Sequence, residues 1–183
     1  MTYPITIVTA LYNKAFAAGY YFTALDKQDL DERFEVILVD DGSTDESVKR
    51  FSQHVAPKCD IRIISGLGQR GQCAARNTGI QAASSNIIFI ADADIILSTN
   101  CLRYHINIHK IFRSPLVVMG PTNFEWVPRH ALDTPSRFAN ELLELDDETR
   151  TAKAELQSRK LNSYLNCVTR NVSMSPKNAL ELF

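Results

Sequence analysis

"FEVILVDDGSTD", residues 34–45, decides the fold. Six residues, 34–39, run through apolar and β-branched side chains with Glu35 as the one interruption, and the run then breaks at Asp40-Asp41-Gly42-Ser43. A strand with one wet face alternates apolar and polar residues, whereas a continuous apolar run marks a strand buried on both faces, as in a parallel sheet covered by helices. The turn that follows can cap a helix, with Ser43 or Thr44 standing before "DESVKRFSQHV". Outward from this unit the same pattern recurs. "ITIVTAL" (5–11) reads as a first strand followed by a helix over 14–30, and "DIRIIS" (60–65) as a third strand followed by the helical "RGQCAARNTGIQAA" (70–83). "NIIFIADAD" (86–94) reads as a fourth strand followed by a helix over 99–112, and "SPLVVMGPTNFEW" (114–126) holds a fifth. Such alternation predicts an α/β fold: a single, mainly parallel but mixed sheet flanked by helices.

Composition bounds the function. The chain has 183 residues, 45% of them hydrophobic and 22% charged, which is globular rather than disordered. A net charge of −1 leaves no general basic field for nucleic acid or an anionic membrane, so no nucleic-acid partner is expected. Cys59, Cys73, Cys101 and Cys167 form no C-x-x-C pair and read as reduced, mostly buried thiols of a cytoplasmic protein. The opening "MTYPITIVTA" lacks a basic n-region and a long apolar h-region, so no signal peptide is expected. Contact with the cytosolic face of a membrane would come through a partner, and a homo-oligomer is compatible with the sequence.

Ligands of parallel sheets sit at the carboxyl ends of the strands. Here those ends carry "LYNK" after strand one, Asp40-Asp41 after strand two, a Gly-rich loop after strand three and Asp92-Ala93-Asp94 after strand four. Tyr12, Asn13, Asp40, Asp41 and the two later acids should therefore converge on one crevice. Alternate residues on a strand share a face, so Asp92 and Asp94 should aim at one point, where their mutual repulsion calls for a cation. Mg²⁺ or Mn²⁺ suits such oxygen ligands, completed by substrate phosphates. One carboxylate of the Asp40-Asp41 pair should brace its turn, and the other can accept the N–H of a pyrimidine base. Tyr12 offers either a ring face for that base or a core aromatic. Arg76 either reaches the nucleotide or pairs with a local acid.

"GLGQRG" (66–71) is a literal G-x-G-x-x-G with a strand before it, a helix after it and Asp92 about 20 residues on, the form of a dinucleotide-binding fingerprint. Its context argues otherwise. That fingerprint joins the first strand to the first helix, whereas this copy follows the third strand. Gly66, Gly68 and Gly71 are better read as a flexible loop edging a different nucleotide site. An NAD-dependent oxidoreductase therefore ranks low, and a nucleotidyltransferase lacks its Gly-rich loop after strand one.

Assembled, the chain resembles the family 2 glycosyltransferases of GT-A fold. The resemblance is carried by "ITIVTALYNK", "FEVILVDDGSTDES", "GQRGQCAARNTGIQAASSNIIFIADADI" and, more weakly, "NCVTRNVSMSP". It implies transfer of a sugar, hexosyltransferase-like, from a nucleotide diphosphate-sugar donor (a UDP-sugar by default) to an acceptor hydroxyl on a saccharide, lipid or other molecule. It also implies a Mn²⁺ or Mg²⁺ ion and inversion at the anomeric carbon. Carried over, Ala10 (through its backbone) and Tyr12 line the base with Asn13 in the same loop. Asp41 binds the base edge with Asp40 beside it, Arg76 lies near base and diphosphate, Asp92 faces ribose or metal, and Asp94 binds the metal.

Residues 1–130 then form the donor-binding region, and 131–183 a partial acceptor region with a charged helix over 136–160. The family's general base usually lies in a Glu-Asp pair after the segment like "NVSMSP", and this sequence stops at Phe183, where that stretch should begin. The catalytic base is thus unassigned. The expectation is a donor-binding half with an incomplete acceptor half, and the alternative is a sugar-nucleotide-binding protein without turnover. The acidic cluster Glu141, Glu144, Asp146, Asp147 and Glu148 reads as a solvated face. His105 and His109 read the same way, rather than as a zinc pair. Phe124, Trp126 and Tyr164 read as packing, and "PTNFEWVPRH" as a loop over the donor sugar.

Overall fold

The computed structural model describes residues 3–66, 68–112, 117–119 and 171–174. Strands β1 (Thr6–Leu11), β2 (Phe34–Asp40), β3 (Cys59–Ile64) and β4 (Ile88–Ala91) alternate with helices α1 (Ala18–Asp26), α2 (Ser47–Ser52), α3 (Gln72–Ala82) and α4 (Cys101–Ile111). A 3₁₀ turn at Ala15–Ala17 leads into α1, and strands β5 (Val117–Met119) and β6 (Asn171–Met174) complete the set. The six strands form one sheet in the order β3-β2-β1-β4-β6-β5. β1, β2, β3 and β4 pair in parallel, while β6 runs antiparallel to both β4 and β5. This is the mixed, mainly parallel sheet that the sequence predicts. The late charged helix, the acidic cluster, the loop 121–130, Phe124, Trp126 and Tyr164 lie outside the described residues.

Period-two alternation sorts the strand side chains onto two covered faces. Ile5, Ile7 and Leu11 join Phe34, Val36, Leu38, Phe89 and Ala91 in the larger core, which also takes Tyr21, Phe22 and Leu25 of α1, Phe51 of α2, and Leu102 and Ile106 of α4. The other face gathers Val8, Ile88 and Ile90 with Ile80, and Ile37 and Val39 with Ala75, both helical residues belonging to α3. α3 lies close because Gly79 faces the sheet: a Cβ there would stand 2.4 Å from Val8 Cγ1 and 3.2 Å from Val39 Cγ2. At the amino end of the sheet, buried Glu35 accepts hydrogen bonds from Thr6 Oγ1 (2.7 Å), Ser84 N (2.9 Å) and Ser84 Oγ (3.0 Å), tying the exit of α3 to β1 and β2.

Helix starts depart from expectation in an informative way. α2 takes no cap from Ser43 or Thr44; it follows Glu46, which makes no side-chain capping bond, while Asp45 accepts from Ser47 N (2.9 Å) and from the Ser47 hydroxyl. Asp45 also accepts from Ala15 N (3.1 Å), and Ser47 Oγ accepts from Lys14 N (2.7 Å). Those two bonds take up N–H groups at the start of the helical segment, which opens as the 3₁₀ turn at Ala15–Ala17 and becomes α-helical only at Ala18, against the α-helix expected over 14–30. It stops at Asp26, and the buried Gln28 that follows donates to Ala24 O (3.0 Å) and Ser98 O (2.9 Å) and accepts from Leu102 N (3.2 Å), joining α1 to α4. Among the described residues, no helix is long and apolar enough to cross a membrane.

Two outcomes follow. Alanine normally improves a helical glycine position by about 1 kcal/mol. Gly79→Ala should instead destabilise by about 1–3 kcal/mol through overpacking against Val8, and Val8→Ala should recover much of the loss; urea unfolding of the single and double variants measures both. For Asp45, desolvation raises the carboxyl pKa, but the Ser47 hydroxyl, Ser47 N–H and Ala15 N–H outweigh it and hold the pKa below the ordinary carboxylate range. A depressed folded-state pKa gives stability that is fully present above the unfolded value, about 4, and lost as pH falls through the folded value. The stability gap between wild type and Asp45→Asn should therefore narrow as pH drops below about 4, read from unfolding midpoints across pH.

Candidate functional site

From β1 the chain steps outward to β2 and β3, and then α3 carries it back across the sheet to β4 on the far side of β1. The direction of winding reverses between β1 and β4. Open α/β sheets bind ligands in the crevice that such a reversal leaves at the carboxyl ends of the strands. The crevice here is edged by Tyr12-Asn13-Lys14 after β1 and by Asp92-Ala93-Asp94 after β4, with Asp40-Asp41 after β2.

The first two loops are stapled together. Asn13 takes a left-handed conformation (φ 49°), which asparagine tolerates better than most residues. Its N–H donates to Ser43 Oγ (3.1 Å), and its side-chain oxygen accepts from Thr44 N (2.8 Å) and Asp45 N (3.3 Å). Asn13 thus shapes the crevice by holding the loop after β2. Ala10, half-buried on β1, sits level with Val39. Tyr12 is 40% exposed, so of its two expected places the core is excluded and the rim of the crevice is occupied.

Asp40 and Asp41 are both buried. Asp40 braces its own turn by accepting from Ser43 N (3.1 Å), as expected for one of the pair. Asp41 reaches the other way, to the Gly-rich loop, and accepts from Arg70 N (2.7 Å) and Gly71 N (2.9 and 3.0 Å). The loop approaches so closely that a Cβ on Gly42 (φ 83°) would lie 3.1 Å from Gln69 N. A carboxylate offers about four acceptor directions, so Asp41 retains capacity for a further donor while it anchors the loop.

The acids after β4 differ from expectation. β4 ends at Ala91, so Asp92 lies just past the strand and Asp94 in a turn, and strand alternation does not aim them at one point. Each carboxylate meets a cation instead. Asp92 Oδ1 pairs with Arg76 at 2.8 Å, with side chains only 16% and 7% exposed, and also accepts from Gln72 Nε2 (3.2 Å). Arg76 thus pairs with a local acid that itself edges the crevice. Asp94 Oδ2 pairs with Lys14 at 2.6 Å, with both side chains about one-third exposed. Burial, with the Asp94 charge nearby, pushes the Tyr20 hydroxyl well above its ordinary pKa.

Among the described residues no group of three or more His, Cys, Asp or Glu side chains could hold a metal. The donor set still fits a hard divalent ion: one or two carboxylates, with remaining positions for phosphate and water, is how Mg²⁺ is commonly held. Lys14 and Gln72 were not singled out from sequence. Their signal was positional, Lys14 closing the "LYNK" loop and Gln72 opening α3 after the Gly-rich loop. The expected solvated face for His105 is corrected. α4 turns Cys101, Leu102, His105 and Ile106 inward, and the His105 ring meets Phe89 edge-on at 4.9 Å.

Comparison with known proteins agrees with this geometry. Residues 6–162 match the sequence model of glycosyl transferase family 2. The chain is 31% identical over 101 residues to glycosyltransferase GlyG of Streptococcus pneumoniae, covering 54% of this chain and 32% of GlyG. It is 32% identical over 100 residues to the undecaprenyl-phosphate 4-deoxy-4-formamido-L-arabinose transferase of Pseudomonas syringae, covering 51% of this chain and 29% of that enzyme. It thus spans about a third of the length of these curated relatives. Among solved structures, S. aureus TarS 1–349 superposes with a TM-score of 0.58 at 22% identity, covering 68% of this chain and 38% of that one, a likeness of fold. With a sheet wound in this way and a family match over most of its length, the chain has the GT-A fold and belongs to glycosyltransferase family 2.

Proposed function

We propose that the chain binds a nucleotide diphosphate-sugar, a UDP-sugar by preference, and serves transfer of the sugar to an acceptor hydroxyl, dependent on Mn²⁺ or Mg²⁺ and with inversion. The observation that carries this reading is the pairing of acids with cations at the switch point: Asp92 with Arg76 and Asp94 with Lys14. A diphosphate brings negative charge to a crevice that already holds carboxylates. Arg76, Lys14 and a divalent ion on Asp94 are the charges that would make that tolerable.

The remaining roles follow from placement. Tyr12 presents an exposed aromatic ring beside β1 for stacking on the base, and Ala10 offers only backbone. Asp41 has acceptor capacity for an imide N–H, which favours uracil. Asp92, oriented by Arg76 and Gln72, is set to take ribose hydroxyls or to share the metal. Asp94 would hold a divalent ion, which when bound would supply Lewis-acid charge toward a leaving diphosphate. A carboxylate on the acceptor side deprotonates the hydroxyl, and attack opposite the leaving group inverts the anomeric carbon. Structures of TarS 1–349 in complex with UDP and with UDP-GlcNAc, a protein of the same fold, support testing uridine first.

Calorimetry with UDP and GDP, with and without Mn²⁺, tests the reading, together with a UDP-release assay using sugar donors. UDP should bind more tightly than GDP and require Mn²⁺, and Asp94→Ala should weaken Mn²⁺-dependent binding about tenfold or more, equivalent to at least about 1.4 kcal/mol. Failure to bind any nucleoside diphosphate overturns the proposal, and Mn²⁺ dependence unchanged in Asp94→Ala removes the metal role of that residue. Binding without UDP release would favour a sugar-nucleotide-binding role over transfer.

A further inference from the structure

We infer that Lys14 is an exchangeable counter-ion for Asp94, which makes divalent-metal binding conditional on the nucleotide; the inference rests on the donor-site reading above. The two acids of the site are neutralised in different ways. Arg76 and Asp92 are 7% and 16% exposed, and Gln72 shares the Asp92 oxygen, so that pair is fixed in a dry setting. Lys14 and Asp94 are 34% and 37% exposed, and water screens and competes for a pair so placed.

The Lys14 backbone is held while its side chain is long. Its N–H donates to Ser47 Oγ (2.7 Å), and its carbonyl accepts from Ala17 N (2.8 Å). From that fixed point the ammonium rests in one position, 2.6 Å from Asp94 Oδ2 and 5.7 Å from the Phe16 ring centroid. A lone divalent ion arriving at Asp94 must displace the ammonium, and among the described residues it finds no cluster of three ligands in exchange. A diphosphate changes both terms. Its oxygens complete the coordination of the ion, and they give the displaced ammonium a new anionic partner within reach of the same loop. Metal and nucleotide then favour each other through Lys14, and by linkage the coupling is equal in both directions.

The experiment is calorimetry with Mn²⁺ alone, UDP alone and UDP in saturating Mn²⁺, on wild type, Lys14→Met and Lys14→Arg. Lys14→Met should bind Mn²⁺ alone about threefold to tenfold more tightly than wild type, and bind UDP in Mn²⁺ several-fold more weakly, so that the coupling factor falls. Lys14→Arg, which keeps the charge, should recover most of the coupling. A merely structural lysine would not raise metal affinity on removal. If Lys14→Met leaves both the affinity for Mn²⁺ alone and the coupling factor at wild-type values, the inference is overturned while the donor-site reading stands. If wild type shows no Mn²⁺-dependent UDP binding, the donor-site reading falls and the inference with it.

Discussion

Parallel pairing of β1 with β2 and β4 is the constraint on which the rest depends. Two parallel neighbours cannot be joined by a tight turn, so each connection among β1, β2, β3 and β4 must cross a face of the sheet, and those four strands must end at the same edge. Loops separated widely in sequence are thereby stacked along one rim. Because the chain leaves β1 toward β2 and returns to its other side at β4, the loop after β1 becomes the shared wall between two sets of acids. That loop is held on one side by hydrogen bonds to the loop after β2 and on the other by an ion pair to the turn after β4.

The rim is organised by backbone donors as much as by side-chain charge. Asp40, Asp41 and Asp45 each accept main-chain N–H groups, and the Asn13 oxygen does the same. Acids in such number would repel if left bare, and here each has a donor or a cation beside it. Buried polar groups must be partnered, and partnering them with backbone rather than with one another leaves the crevice floor ordered before any ligand arrives. Gly42 and Gly71, both at positive φ, let the second and third loops approach near enough for Asp41 to bridge them.

Much of this was legible in sequence. β2 is observed over the predicted 34–40, because a continuous apolar run bounded by a turn admits little else. The convergence of the loops followed from parallel topology alone. What sequence could not give were partners set by long-range placement: Lys14 and Asp94 are separated by 80 positions, and no local pattern links them. The strand expected over 86–94 is observed only as Ile88–Ala91, and the two acids beyond it turn to cations elsewhere in the chain, Asp92 to Arg76 and Asp94 to Lys14. His105 is buried against the expectation of a solvated face. A histidine flanked by Leu102 and Ile106 on one helical stripe belongs to the core whatever its own hydropathy.

β6 arrives late in the chain yet lies between β4 and β5, and Asn171 pairs with Ala91, the residue before Asp92. During synthesis, at about 5–20 residues per second, the four parallel strands are complete several seconds before the strand that covers the outer edge of β4. The nascent sheet therefore carries one unsatisfied row of N–H and C=O groups on the flank next to the acidic turn. That flank is the point at which an emerging chain would be open to capture by another strand, or to shielding by a chaperone, until residue 174 has cleared the ribosome.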